Sequence, residues 1–213
     1  AIYFSSVVMA MLVVPFGQSK GIISFNGDFI FFAYVLALGK FFSIAAALDT
    51  GSSFEGMGAS REALYSMFAE PAFFVLIGSL AMLTGYTSFH EIFTAFHLGS
   101  SISYALAVLA AFVLGMIMMI ENSRRPIDDP KTHLELTMIH EVMILDYSGF
   151  DLGLILSAGI LKFSVYGALI VNLFIGMFPW EYSIPMFFAI QSGAAIITGG
   201  IESFMARFRM NHN

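Results

Sequence analysis

The chemistry this sequence could do inside a membrane rests on Lys40, Glu70, Lys162 and the pair His140-Glu141. Glu70 falls in an apolar run and is followed by Pro71, which frees a backbone carbonyl in the turn before it. A carboxyl so placed is either half of an ion pair or a group that holds and passes a proton. Lys40 and Lys162 sit near the middle of apolar runs, too far from either end to reach water easily, and so are expected in the bundle interior. Lys162 could pair with Glu70 or Glu141. His140-Glu141 resembles the start of a zinc-protease motif, but position 144 is Ile rather than the second histidine. That leaves proton handling, hydrogen bonding, or a plain polar helix face as the readings of His140, and no metal site is expected.

The elements that position these residues follow from composition. Charged residues make up 11% of the chain, against about 25% in soluble domains, so part of its surface must face lipid. Crossing the bilayer core takes about 20 apolar residues in a helix. Stretches at 1–16, 28–48, 63–84, 98–120, 151–178 and 184–204 come near that length. Their continuity excludes the alternating strands of a β-barrel. The expectation is an all-α, polytopic transmembrane helical bundle, one domain over residues 1–213, with about six spans. The chain opens inside an apolar run, which reads as truncation at both ends.

The connectors differ in charge. Residues 49–62, 121–150 and 205–213 hold Arg61, Arg124, Arg125, Lys131, Arg207 and Arg209, whereas 17–27, 85–97 and 179–183 hold only Lys20. This bias puts the first set on the cytoplasmic side. Residues 49–62, rich in Gly and Ser, read as a connector that lacks the Lys-Ser/Thr ending of a phosphate loop. Glu121 to Pro130 is a dense charge run whose prolines suggest an ordered docking surface formed by Arg124, Arg125 and Asp128. Residues 132–146 have helical periodicity, with His133, Thr137 and His140 on one face, Glu141 at its flank, and Glu135 and Asp146 opposite. The segment 121–150 therefore reads as an interfacial cytoplasmic element, broken at Tyr147-Ser148-Gly149. A net charge of −6 excludes a nucleic-acid surface, and the absence of Cys excludes disulfides and thiolate-held clusters on this chain.

The runs Glu121-Asn-Ser-Arg-Arg-Pro-Ile-Asp-Asp-Pro130 and Thr132-His-Leu-Glu-Leu-Thr-Met-Ile-His-Glu141 resemble the membrane anchor subunit of group 4 [NiFe] hydrogenases, the formate hydrogenlyase and hydrogenase-4 type. Leu48 to Ser52, Gly58 to Glu62 and Ala69-Glu70-Pro71 share the resemblance, which covers essentially the whole chain. The related H subunit of respiratory complex I has Glu-x-Asn-Arg-x-Pro-Phe-Asp followed by Glu-Tyr-Ser-Gly. Here Ile127 stands for Phe, and Asp146-Tyr-Ser-Gly for the latter. The resemblance implies a fragment of an eight-helix subunit, with one or two helices missing at each end. It implies a multi-pass protein of the prokaryotic inner (plasma) membrane that is not catalytic alone. Its role would be to anchor the NiFe and iron–sulfur arm and to couple electron transfer to proton or ion translocation.

It further implies a coupling path through Glu70, Glu121, Glu135, Glu141 and Asp146, beside His140 and Lys162, with Arg61 and Arg124 as basic partners. Cofactors would be carried by partners, namely the hydrogenase large and small subunits and an iron–sulfur protein, with antiporter-like membrane subunits alongside. The alternative is the quinone-site H subunit of an NADH:quinone oxidoreductase. A stand-alone secondary transporter lacks support, since no internal repeat or paired broken helices are evident.

Overall fold

The computed structural model describes residues 1–17, 19–96, 101–122, 143–175 and 180–204. Among them the chain is all helical: α1 Ile2–Val13, α2 Asp28–Asp49, α3 Ser53–Thr84, α4 Phe89–Ala95, α5 Ser101–Glu121, α6 Gly149–Ile175 and α7 Trp180–Phe204. Five of these, α2, α3, α5, α6 and α7, are long and apolar enough to cross a membrane, and α1 is a shorter apolar helix. With no water in the bilayer core, each backbone must satisfy its own hydrogen bonds, which only the helix does within one segment.

Five helices close into a ring. α1 packs on α2, α2 on α3, α3 on α5, α5 on α6, and α6 back on α1, while α7 lies outside on α6. The ring is filled by one apolar core that includes Phe32, Leu36, Phe73, Ile77, Leu114 and Leu169. Phe32 anchors it, with its ring edge-on to Phe89 at 5.5 Å and to Tyr166 at 6.1 Å.

Two local features depart from expectation. Residues 49–62 are not a connector: α3 begins at Ser53, and only Thr50, Gly51 and Ser52 join it to α2. Thr50 Oγ1 donates to the Ala47 carbonyl at 2.8 Å, and Gly51, at φ +69, turns the chain back. The glycines and serines suggest a loop, but Glu55, Gly58, Ala59 and Glu62 recur on one buried face of a helix. The 85–97 connector contains α4. Asp28, in the first turn of α2, reaches across to its start: Oδ1 accepts from the Phe89 amide at 2.7 Å, and Oδ2 from Ser88 Oγ at 2.8 Å. The break expected at residues 147–149 falls where α6 begins, with Gly149 at φ +56.

Candidate functional site

α5 ends on a buried residue. Its last residue, Glu121, meets Lys162 of α6, about 20 Å of helix rise beyond Gly149. Lys162 Nζ donates to the Glu121 backbone carbonyl at 3.0 Å and to Oε2 at 3.2 Å. The ammonium thus caps the last residue of a helix, where a positive charge also complements the helix dipole. The other carboxylate oxygen, Oε1, accepts from Lys40 Nζ at 2.6 Å. Lys40 in turn stands 3.4 Å from Glu62 Oε1.

Among the described residues, four ionisable groups from α2, α3, α5 and α6 therefore share one buried cluster. Their residues are 6% (Lys40), 4% (Glu62), 7% (Glu121) and 2% (Lys162) exposed, so none reaches water or lipid headgroups by snorkelling. Among the described residues, two lysines meet two carboxylates there. In a low dielectric that pairing is what makes the burial tolerable, since an unpaired charge would cost far more than a paired one.

Glu70 lies about 12 Å further along α3 than Glu62. Together with Lys40, Glu121 and Tyr166 it lines a cavity of about 20 Å³, whose apolar walls include Phe32, Phe73 and Ile117. No hydrogen bond or ion pair among the described residues engages the Glu70 carboxyl. A space of that size with several polar walls can hold one water.

The other candidate residues are distributed as follows. Both mid-span lysines are interior, as their position in the sequence suggests, but Lys162 pairs with Glu121 and not with Glu70. The reason is helix length: α5 brings its carboxyl-terminal end to the level of Lys162. Arg61 is half-buried on α3 and Asp146 is exposed, just before α6. Met143 packs against Ala47 and Ala59, where α2 ends and α3 begins. Arg124, Arg125, Asp128, Glu135, His140 and Glu141 lie outside the described residues. Reasoning from the sequence missed Glu62, although it lies two turns from Glu55 on the same buried face of α3.

A second polar group lies toward the opposite end of the ring. Asn172 of α6, 1% exposed, donates from Nδ2 to the Pro15 carbonyl at 2.6 Å and accepts at Oδ1 from the Gly17 amide at 3.0 Å. On the same side His90, at the start of α4, has a buried Nδ1 with no hydrogen-bond partner among the described residues. Burial, and then the charge of Lys20, hold its imidazole below the usual 6.5, with Glu91 and Asp28 pulling the other way.

Comparison with known proteins places this architecture. The chain is 32% identical to hydrogenase-4 component C of Escherichia coli (strain K12) over 174 residues, 82% of this chain and 54% of that protein. It is 33% identical to formate hydrogenlyase subunit 4 of the same organism over 156 residues, 72% of this chain and 48% of that protein. It is 26% identical to the H subunit of NADH-quinone oxidoreductase from Methylococcus capsulatus (strain ATCC 33009 / NCIMB 11132 / Bath) over 176 residues, 83% of this chain and 54% of that protein. The chain thus spans about half the length of the curated relatives it matches. The family profile described as NADH dehydrogenase covers residues 1–213, and this multi-pass membrane chain belongs to that family.

Proposed function

We propose that this chain is the membrane subunit of a hydrogenase complex of the formate hydrogenlyase or hydrogenase-4 kind, and that it couples electron transfer on partner subunits to proton or ion movement. The observation that carries the reading is the Lys40–Glu62–Glu121–Lys162 cluster, buried beside a cavity walled by Glu70, a carboxyl that makes no ion pair among the described residues. A structural salt bridge needs two groups. Four groups drawn from four helices, next to a water-sized space, form a network in which a change at one member alters the proton affinity of the rest. Glu70 is the member whose charge the lysines do not already balance, so it is the carboxyl that takes up and gives back the proton. One water in the cavity bridges it to Lys40 and Glu121.

In this reading the Arg61 end of the ring faces the cytoplasm of a prokaryotic cell, at its inner membrane. It docks the NiFe and iron–sulfur arm through Arg61, Arg124, Arg125 and Asp128. The path continues from Glu121 to Glu135, His140, Glu141 and Asp146. With no Cys in the sequence, thiolate-held iron–sulfur clusters must be carried by partners. A second reading, the quinone-site subunit of an NADH:quinone oxidoreductase, is favoured by the similarity to the H subunit of that enzyme.

The deciding experiment uses the full-length chain in its native complex. Nickel in the purified complex with hydrogen-linked electron transfer supports the first reading, and flavin with quinone reduction the second. A solitary protein moving a solute defeats both. Within either complex, Glu70→Gln must uncouple proton movement from electron transfer. Unchanged proton release per turnover in that variant would remove Glu70 from the path.

A further inference from the structure

Helix α1 is wedged between α2 and α6, the two helices that carry the buried lysines. Its approach to α2 is close because residue 39 is Gly. A Cβ at that position would collide with Ser6 Oγ and stand 2.9 Å from Ser6 Cβ and 3.5 Å from Tyr3 Cδ2. Ser6 Oγ is itself turned inward, donating to the Tyr3 carbonyl at 2.7 Å. The Tyr3 ring therefore backs onto Gly39, the neighbour of Lys40, and presents itself to α6. There Lys162 Nζ lies over the ring, 5.2 Å from its centroid. At the far end of α1, Asn172 grips Pro15 and Gly17, so α1 is fastened to α6 at both ends.

An ammonium has three N–H donors. Two directions at Lys162 are taken by the carbonyl and Oε2 of Glu121. Tyr3 covers the remaining side: its ring quadrupole attracts a desolvated cation, and its phenol oxygen is a hydrogen-bond partner of the same ammonium. We infer that Tyr3 is a positioning residue of the buried cluster: its ring, seated on Gly39, holds the Lys162 ammonium on Glu121 and leaves Oε1 for Lys40. Its consequence for coupling rests on the proposed role of the cluster, but the positioning itself does not.

The test uses the full-length chain in its membrane complex, labelled with 15N-lysine, the Lys162 Nζ resonance being assigned by its loss in Lys162→Met. Tyr3→Leu removes both ring and hydroxyl and must shift that resonance, whereas Tyr3→Phe keeps the ring and must shift it clearly less. A Tyr3→Leu spectrum superimposing on wild type overturns the inference, and so does a Tyr3→Phe shift as large as that of Tyr3→Leu. Should Tyr3→Leu fail to assemble, Tyr3→Met replaces it with the same requirement. Proton release per turnover, read on the same samples, separates the two ideas. A shifted resonance with unchanged proton release keeps Tyr3 as the positioner and defeats the coupling role, and an unshifted resonance defeats the positioning whatever the protons do.

Discussion

Lys40 in the middle of α2 and Glu121 at the last position of α5 are 81 residues apart in the chain, and their charged atoms meet at 2.6 Å. Glu121 answers to two cations at once, since Lys162 holds its other oxygen and its backbone carbonyl. Among the described residues, Glu121→Gln leaves Lys40 and Lys162 with Glu62 as their one remaining ion-pair carboxylate. Breaking a buried pair by removing one partner costs about 3–5 kcal/mol. Glu121→Gln with Lys40→Met restores the charge balance and is expected to recover part of that loss. Thermal unfolding midpoints in detergent would check the order: wild type highest, the double variant intermediate, Glu121→Gln lowest. A double variant less stable than the single would show that net charge is not what holds the cluster.

The spans were legible in the sequence because a run of about 20 apolar residues has few alternatives. So was the burial of Lys40 and Lys162, from their distance to either end of a run. The partner of Lys162 was not legible. Whether Glu70, Glu141 or Glu121 reaches it depends on where α5 stops relative to α6, and that is fixed by tertiary packing. The start of α3 was hidden for a different reason. Gly51, Ser52, Ser53, Gly56 and Gly58 are loop formers taken singly, yet only Gly51 has positive φ, while Gly58 and Ala59 lie on a buried helical face where Ala59 packs against Ala47 and Met143. The periodic signal, Glu55 to Ala59 to Glu62, was present and was outweighed by composition. Asn172, Asp28 and Tyr3 carry no motif, and their roles exist only once distant segments meet.

Gly39 admits Ser6 at a distance that no side chain could share. Gly39→Ala gains helix propensity, by about 1 kcal/mol. It must nevertheless push α1 from α2, at an overpacking cost of about 1–3 kcal/mol. Ser6→Ala removes the oxygen that the new methyl would strike and leaves Ser6 Cβ at 2.9 Å, so the combined variant is expected to recover only partly. Melting of the three variants side by side would test this. Gly39→Ala as stable as wild type would mean that α1 can move away freely.

Asn172 clasps the segment after α1 to α6, and both of its amide functions are used. Asn172→Ala strands the Gly17 amide and the Pro15 carbonyl in a buried site, at about 1–3 kcal/mol per unsatisfied group. Asn172→Asp keeps an acceptor for Gly17, but it replaces the donor to Pro15 with a carboxylate facing a carbonyl. It should be at least as harmful near neutral pH. Hydrogen exchange at Gly17 gives a local readout: faster exchange in Asn172→Ala is expected, and an unchanged rate would show that the clasp does not hold the loop.

His90 gives a pH dependence that can be signed outside the spans. Burial first, and then the Lys20 charge, disfavour the imidazolium, while Glu91 and Asp28 favour it. The folded imidazole therefore titrates below 6.5, and the neutral form is the one the fold prefers. Its contribution to stability is fully present above the unfolded value and is lost as pH falls through the folded one, because the unfolded chain binds the proton first. Half-exposure keeps that contribution small. Lys20→Gln removes one of the two lowering causes and should raise the titration midpoint; Glu91→Gln should lower it further. NMR titration of ring-labelled histidine would read both shifts. A wild-type midpoint at or above the usual 6.5 would mean that Asp28, already committed to Ser88 and the Phe89 amide, still supplies enough negative potential to outweigh desolvation at His90.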